Sequence, residues 1–135
     1  MNTTYYLDLV IGNVFHTKAT PALPAKYYIG LSSTPPNVNG ENVTEPSTIG
    51  TGYSRCEMKD LSVPAEGAIH NTTVIRFPES ITDWGVMTHY VVYDALTGGN
   101  LLFYGQLSKK RTIESNTILA IKAGELKIEL TNTAS

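Results

Sequence analysis

Histidine and cysteine are the residue types of this chain that could bind a metal ion or act as a nucleophile. His16, His70 and His89 are far apart in the sequence and form no closely spaced pair. A metal site would therefore need tertiary convergence that the spacing does not indicate. The single cysteine, Cys56, excludes an internal disulfide, and we expect it to be a buried, unreactive thiol on a strand. We predict no metal ion and no cofactor.

Two carboxylates, Glu79 and Asp83, lie on the same side of Trp84 along the chain, in a segment typical of a loop. Such an arrangement would suit sugar binding, but capping and turn formation account for it more simply. Gly98-Gly99 lacks the lysine and the following helix of a phosphate-binding loop. No Gly-x-Ser-x-Gly nucleophile motif occurs either. We therefore predict that the chain is not an enzyme.

Charge is sparse and balanced along the chain. Charged residues make up 16% and the net charge is -2, so we expect no binding to nucleic acid. No run of apolar residues is long enough to span a bilayer, and the first residues lack the pattern of a secretion signal. The basic run Lys109, Lys110 and Arg111 is predicted to lie in a turn between strands. There it is either solvated or contacts an acidic partner surface.

Apolar residues at helical spacing distinguish the first segment from the rest of the chain. Leu7, Val10, Ile11 and Val14 stand at i, i+3, i+4 and i+7, which predicts a helix from about residue 4 to residue 16. Two prolines follow within the next eight residues and prevent its continuation. We assign residues 1–24 to an N-terminal helical arm. Its apolar side chains either pack on the chain's own β domain or contact a partner.

The remaining residues, 25–135, have the composition of a mainly β domain. They are rich in β-branched and aromatic residues, separated by Gly, Pro and Asn. The pattern predicts a β-sandwich or jelly-roll-like domain of about seven to eight strands. Strands are predicted over residues 25–31, 52–58, 72–77, 86–94, 100–107, 117–122 and 125–131.

A long loop over residues 32–52 separates the first two predicted strands. Loops of this length within one domain are uncommon and are usually functional or bound to a partner. Pro35 and Pro36 favour an extended path, and Asn39-Gly40 is a turn signal. Since the loop is nearly uncharged, it could lie on a protein surface at little desolvation cost. We predict that it extends across a neighbouring subunit and, with the arm, contacts partners.

An ordered set of short segments resembles a family of small structural proteins of tailed bacteriophages and prophages. Members of that family are labelled tail-fibre-like or head-decoration proteins, and the similarity covers about residues 28 to 130. The segments are Tyr28–Pro36, Glu45-Pro46, Gly52–Arg55, Ile75–Pro78, Trp84–Tyr90, Tyr93–Ala95, Thr97–Gly105 and Ala123–Leu126.

The resemblance implies a component of the virion that is assembled in the cytoplasm of the bacterial host. Its partners would be other virion proteins, either the major capsid protein or tail and baseplate proteins. We expect a homo-oligomer, and the resemblance implies a trimer. Within the matched segments, Trp84 and Tyr90 are expected to form an aromatic cluster. Arg55 and Arg76 are expected to pair with acidic neighbours such as Asp94.

Two functions remain open at this point. The favoured one is a capsid decoration or head-fibre subunit, because an amphipathic arm with one β domain suits a clamp on a shell. The alternative is a tail-fibre or baseplate-associated module that helps to recognise the host surface, for instance through carbohydrate. The chain lacks the long repetitive shaft of a fibre, so in that case it would be an adaptor or tip domain.

Overall fold

A computed structural model describes residues 1–16 and 20–129, which form one helix and eight strands. The predicted mainly β fold with an N-terminal helix is confirmed. The elements are α1 (Thr4–Phe15), β1 (Tyr28–Ser32), β2 (Cys56–Glu57), β3 (Ala68–His70), β4 (Ile75–Arg76), β5 (Gly85–Tyr93), β6 (Leu101–Ile113), β7 (Ala120–Ile121) and β8 (Lys127–Glu129). All seven predicted strands occur, and β1, β2, β4 and β7 are shorter than predicted, whereas the last two residues predicted for β8 lie outside the described residues. The sequence pattern does not predict β3, which is an eighth strand.

The strands form one four-stranded sheet and two small sheets, and every pairing is antiparallel. The large sheet has the order β2-β1-β5-β6, while β3 pairs with β8 and β4 pairs with β7. The centre of the large sheet is the pairing of β1 with β5, in which Gly30 lies opposite Val91. The two small sheets join segments that are distant in the sequence. Such non-local pairing gives no periodic signal, which explains why β3 was missed.

The core lies between the large sheet and the β4–β7 sheet. Buried residues of both sheets belong to one apolar cluster, so their inner faces pack together. Along β8, Lys127 and Glu129 are exposed while Leu126, just before it, is buried, as the alternating pattern predicts. The main core residues are Ile29, Leu31, Val92, Leu102, Phe103, Ile113, Ile75, Phe77 and Ile121.

Helix α1 begins at a side-chain cap and packs on β6. The Thr3 hydroxyl accepts a hydrogen bond from the backbone N–H of Tyr6, the capping role expected of threonine. The same hydroxyl donates to the carbonyl of Leu101 at 2.7 Å, so the cap also fixes the helix to the sheet. The Tyr6 ring lies 4.6 Å from the Phe103 ring. The N-terminal arm is therefore held against the β domain along its first two turns.

The loop between β1 and β2 folds back on itself, so the prediction of an extended path is wrong. Ser33 N–H donates to the Thr44 carbonyl at 3.0 Å, and the Thr34 hydroxyl donates to the Asn42 carbonyl at 2.6 Å. The Asn37 side chain accepts from two backbone N–H groups of the turn that follows it. These local hydrogen bonds satisfy backbone groups that an extended path would leave to solvent, and they make the first half of the loop compact.

The basic run lies in strand β6, so its predicted position in a turn between strands is wrong. Met87 pairs with Arg111 and His89 pairs with Gln106, so residues 107–110 of β6 stand opposite Thr88. Four residues opposite one make a large irregular bulge, which carries the exposed Lys109 and Lys110 out of the regular ladder. The hydrophobic pattern could not reveal this bulge because it depends on the register with β5.

Candidate functional site

A polar cluster centred on Arg55 joins the long loop to the β5–β6 hairpin. Its guanidinium donates to both carboxylate oxygens of Glu45, from Nη2 at 2.7 Å and from Nε at 3.0 Å. Its Nη1 donates to the carbonyls of Ala95 and Gly98, at 2.8 and 2.7 Å. The guanidinium also lies 3.7 Å above the centre of the Tyr93 ring. Most N–H groups of this side chain are thus used inside the fold.

Tyr53 connects this cluster to the core. Its hydroxyl donates to Glu45 at 2.5 Å and accepts from Leu31 N–H at 3.0 Å. Burial, and then the adjacent Glu45 carboxylate, raise the pKa of Tyr53 above its usual value. The ring packs edge-on against Trp84 with the centroids 5.3 Å apart and stacks on Phe77 at 6.5 Å. The aromatic cluster is therefore built on Tyr53 and Trp84, whereas Tyr90 was expected as its second member.

The cluster brings together segments that carry the family resemblance. A Cβ at Gly30 would lie 2.5 Å from the Tyr53 hydroxyl and 2.7 Å from Glu45, so this position needs glycine. Asp94 does not pair with Arg55 as expected. It accepts instead from the backbone and side chain of Asn100, which closes the hairpin. These contacts are structural, since they join loop to loop and leave few polar groups for a ligand.

An open groove of about 250 Å³ lies beside the cluster and is lined by Glu45, Thr48, Ser54 and Thr97 among others. Glu45 accepts three hydrogen bonds from Arg55 and Tyr53, so most of the acceptor capacity of its carboxylate is used within the fold. Neither composition nor spacing indicated this cluster. Its members are distant in sequence, and only their occurrence within the family-like segments could have pointed to them.

The predicted apolar contact residues of α1 lie mainly on the face that points away from the sheet. Leu9 and Gly12 are the buried residues of the helix, and Val10 is half-buried. The outward stripe, as we name it, consists of exposed apolar side chains that follow each other at helical spacing. Its members are Leu7 at 47% exposure, Ile11 at 46%, Val14 at 60% and Phe15 at 69%.

The predicted loop residues are divided between interior and surface. Pro36 is buried, whereas Pro35 and Asn39 are exposed. The carbonyl of Val38 accepts from Thr4 N–H at 2.9 Å, so this part of the loop lies beside the start of α1. The structure thus brings the loop and the helix together. The basic run is in the other half of β6 from the part that contacts α1, so it does not join this surface.

The residues considered for metal or nucleophilic chemistry lie apart. His16 ends the helix in a left-handed conformation, His70 is exposed on β3, and His89 is on β5, where burial lowers its pKa. Within residues 1–16 and 20–129, no three His, Cys, Asp or Glu side chains are placed to hold a metal ion. The Cys56 thiol donates to the Arg76 carbonyl at 3.2 Å, and burial raises its pKa to about 11. At neutral pH this thiol is protonated and a poor nucleophile.

The fold and these surfaces describe a small β-rich protein that carries an apolar helix on its outside. A family model described as Podophage GP4 fiber I protein gp80 matches residues 2–129. The chain belongs to this family of phage fibre-type virion proteins, as the resemblance implied. No individual curated protein matches it significantly. Among the described residues, the single helix spans twelve residues and cannot cross a membrane.

Proposed function

We propose that this chain is a non-enzymatic subunit that decorates or forms fibres on the phage head, attached by α1 and the adjoining loop. The observation that carries the proposal is the outward stripe. A capped helix is fixed to the sheet through one face while four apolar side chains of the opposite face remain in water. Exposed apolar patches of this kind mark sites of protein–protein contact.

The loop between β1 and β2 adds to the contact surface formed by α1. The turn after Pro36 lies against the first turn of α1 through the bond between Val38 and Thr4, and Val38 itself is 41% exposed. The compact loop therefore extends the helix surface, without having to order itself when it binds. A preformed surface loses less conformational entropy on binding. Many copies on a lattice would add avidity to each weak contact.

The alternative is a tail-fibre or baseplate-associated module that contacts the host surface. The observation in its favour is the open groove beside Arg55, whose lining includes Thr48, Ser54 and Thr97. The pairing of Arg55 with Glu45 weighs against it, because most of the polar groups of these two side chains are already used within the fold. Labelling the protein on intact virions separates the two proposals, since gold particles would decorate heads in one case and tails in the other.

Attachment is tested by placing charge on the outward stripe. The double variant Ile11→Glu and Val14→Glu places glutamate, a good helix former, at two exposed positions. We therefore expect its unfolding temperature to stay near that of the parent chain. Its incorporation into purified particles should fall at least about tenfold, because glutamate must then be desolvated at the contact. Ile118→Glu, a half-exposed position outside this surface, is the matched control. Normal incorporation of the double variant would contradict the proposal.

A further inference from the structure

We propose that the outer edge of β6, between Gly105 and Thr112, binds an extended acidic segment of another virion protein as an additional strand. The inference goes beyond the attachment through α1, because it concerns the other half of β6 and a partner of different chemistry. It begins from the position of β6 at the edge of the large sheet. A strand at an edge presents backbone N–H and C=O groups with which another chain can pair.

Residues 1–3 show that this edge of β6 accepts a strand. An antiparallel bridge joins Asn2 to Phe103 on the side of β6 that faces away from β5. The residues next to the bridge form two backbone hydrogen bonds of 2.9 Å. Beyond Tyr104, residues 105–112 make no backbone hydrogen bond on this side with any described residue. The edge is therefore occupied in its first half and open in its second, where a partner strand could continue the pairing.

A cluster of positive charge occupies the open half of the edge. Lys109 and Lys110 are exposed, and Arg111 is half-buried. None of the three side chains forms an ion pair with a described residue. The neighbouring strand β5 carries no acidic residue that could compensate them. Carboxylates of a partner strand would therefore meet cations whose charge is not already neutralised by an ion pair.

The carboxylates around the open edge leave its charge positive. Glu125 lines a cavity of about 30 Å³ with two of the three cations but forms no ion pair with either. Lys122, whose carbonyl accepts from Glu125 N–H at 3.0 Å, adds a cation in the same turn. Glu129 is paired with Lys127 at 3.5 Å, and Glu114 follows the end of β6. Four cations thus outnumber the two carboxylates, Glu114 and Glu125, that form no ion pair with the described residues.

The same features oppose pairing of this edge with its counterpart on a second copy. An antiparallel contact centred on the bulge would bring the basic runs of two copies together. Lysine side chains and bulges at an edge are known to prevent edge-to-edge association of this kind. An acidic segment meets attraction at the position where a second copy meets repulsion, and this difference gives specificity. Because the bulge interrupts the ladder, we expect pairing over only a few residues and an affinity in the micromolar range.

The probe for this edge is a short peptide in which threonine alternates with glutamate, so that it is acidic and favours an extended conformation. Fluorescence anisotropy measures its binding to the full chain. The parent chain should bind the peptide, and added salt should weaken the binding. A peptide with lysine in place of glutamate should not bind. The acidic peptide with alternate backbone amides N-methylated keeps its charge but loses the donors of one edge, so its affinity should fall at least about tenfold.

Variants of the protein locate the binding site. Lys109→Glu combined with Lys110→Glu should weaken binding of the acidic peptide at least about tenfold. Lys26→Glu combined with Lys59→Glu makes the same change of net charge at exposed lysines near β2, and it should alter the affinity less than about twofold. Circular dichroism confirms that each variant is folded, and glutamine replaces glutamate at both bulge positions if the first variant unfolds.

Three outcomes would overturn the inference. If the parent chain does not bind the acidic peptide, the edge takes no acidic strand. Equal binding of the N-methylated peptide would show that charge alone is recognised, as expected for a phosphorylated polysaccharide of the host surface. An equal loss in the Lys26 and Lys59 variant would show that only net charge matters. The Ile11→Glu and Val14→Glu variant should bind the peptide like the parent chain, so this test is separate from that of attachment through α1.

Discussion

At the scale of single residues, Arg55 joins the loop between β1 and β2 to the β5–β6 hairpin. It is 7% exposed and bound by Glu45, which is itself 19% exposed, so the pair is removed from most of the solvent. Exposed ion pairs, such as Lys26 with Glu57 at 3.4 Å, are screened by solvent and salt and contribute little to the stability of the fold. Removing one member of the Arg55 pair would instead leave a partly buried carboxylate without its cation.

We expect Arg55→Ala to lower the free energy of unfolding by about 3 kcal/mol. The reason is the simultaneous loss of the Glu45 pair and of the two hairpin carbonyl partners, Ala95 and Gly98. Urea denaturation measures the change. The matched control is Lys26→Ala, which should change stability by less than about 1 kcal/mol. Equal effects of the two substitutions would show that the Arg55 cluster is dispensable for the fold.

At the scale of secondary-structure elements, buried side chains link the segments around the short strands in addition to the ladders of those strands. The turn between β7 and β8 is an example, because Asn71 binds it from within the core. Its Nδ2 donates to the carbonyls of Thr73 and Lys122, and its Oδ1 accepts from the N–H groups of Gly124 and Leu126. Strands of two or three residues offer few backbone bonds of their own, so such a link determines whether the small sheets persist.

Asn71→Asp should therefore destabilise the protein by about 3 kcal/mol or more, although the side chain keeps its shape. Asn71 is fully buried, and a carboxylate there would face two carbonyl oxygens with no hydrogen to donate. Thermal unfolding at pH 7 measures the effect. Asn39→Asp, at the exposed tip of the loop, makes the same chemical change and should alter stability by less than about 0.5 kcal/mol. A stable Asn71→Asp variant would contradict the role assigned to this residue.

At the scale of the whole molecule, a compact β domain presents its helix, its loop and its basic bulge on the outside. The family of phage fibre-type virion proteins is established by the match over residues 2–129. The core cluster lies within one chain, so the proposed partners would contact surface features of the fold. The Lys109 and Lys110 bulge remains a predicted contact for an acidic partner, on a different part of β6 from the helix.

Retention of the protein on virions should not depend on divalent cations. The contacts proposed here are made by apolar and basic side chains, and the described residues bring no three His, Cys, Asp or Glu side chains together as ligands. Treating purified particles with EDTA should therefore leave the amount of bound protein unchanged on a quantitative blot. A different phage structural protein, whose retention does depend on metal ions and which dissociates under the same conditions, serves as the positive control. Release by EDTA that magnesium or calcium reverses would refute this prediction.

The local structure of this protein could be predicted from its sequence. Periodicity over a few residues marks α1 and seven of the eight strands, because alternation and helical spacing reflect which side chains can share a face. The ordered segments also indicated the family, and they contain the residues that meet around Arg55 and Tyr53. The composition, low in charge and rich in aromatic and turn residues, was enough for the fold class.

Which face of each element is exposed to solvent depends on the tertiary structure. Both faces of α1 are apolar, so no periodicity could tell that Leu9 would be buried and Leu7 exposed. The choice depends on Thr3 docking against β6, a contact between residues about a hundred positions apart. The pairing of β3 with β8 and the bulge at Lys109 depend in the same way on register between distant strands. Such contacts form only when distant parts of the chain meet, and the pattern of neighbouring residues carries no record of them.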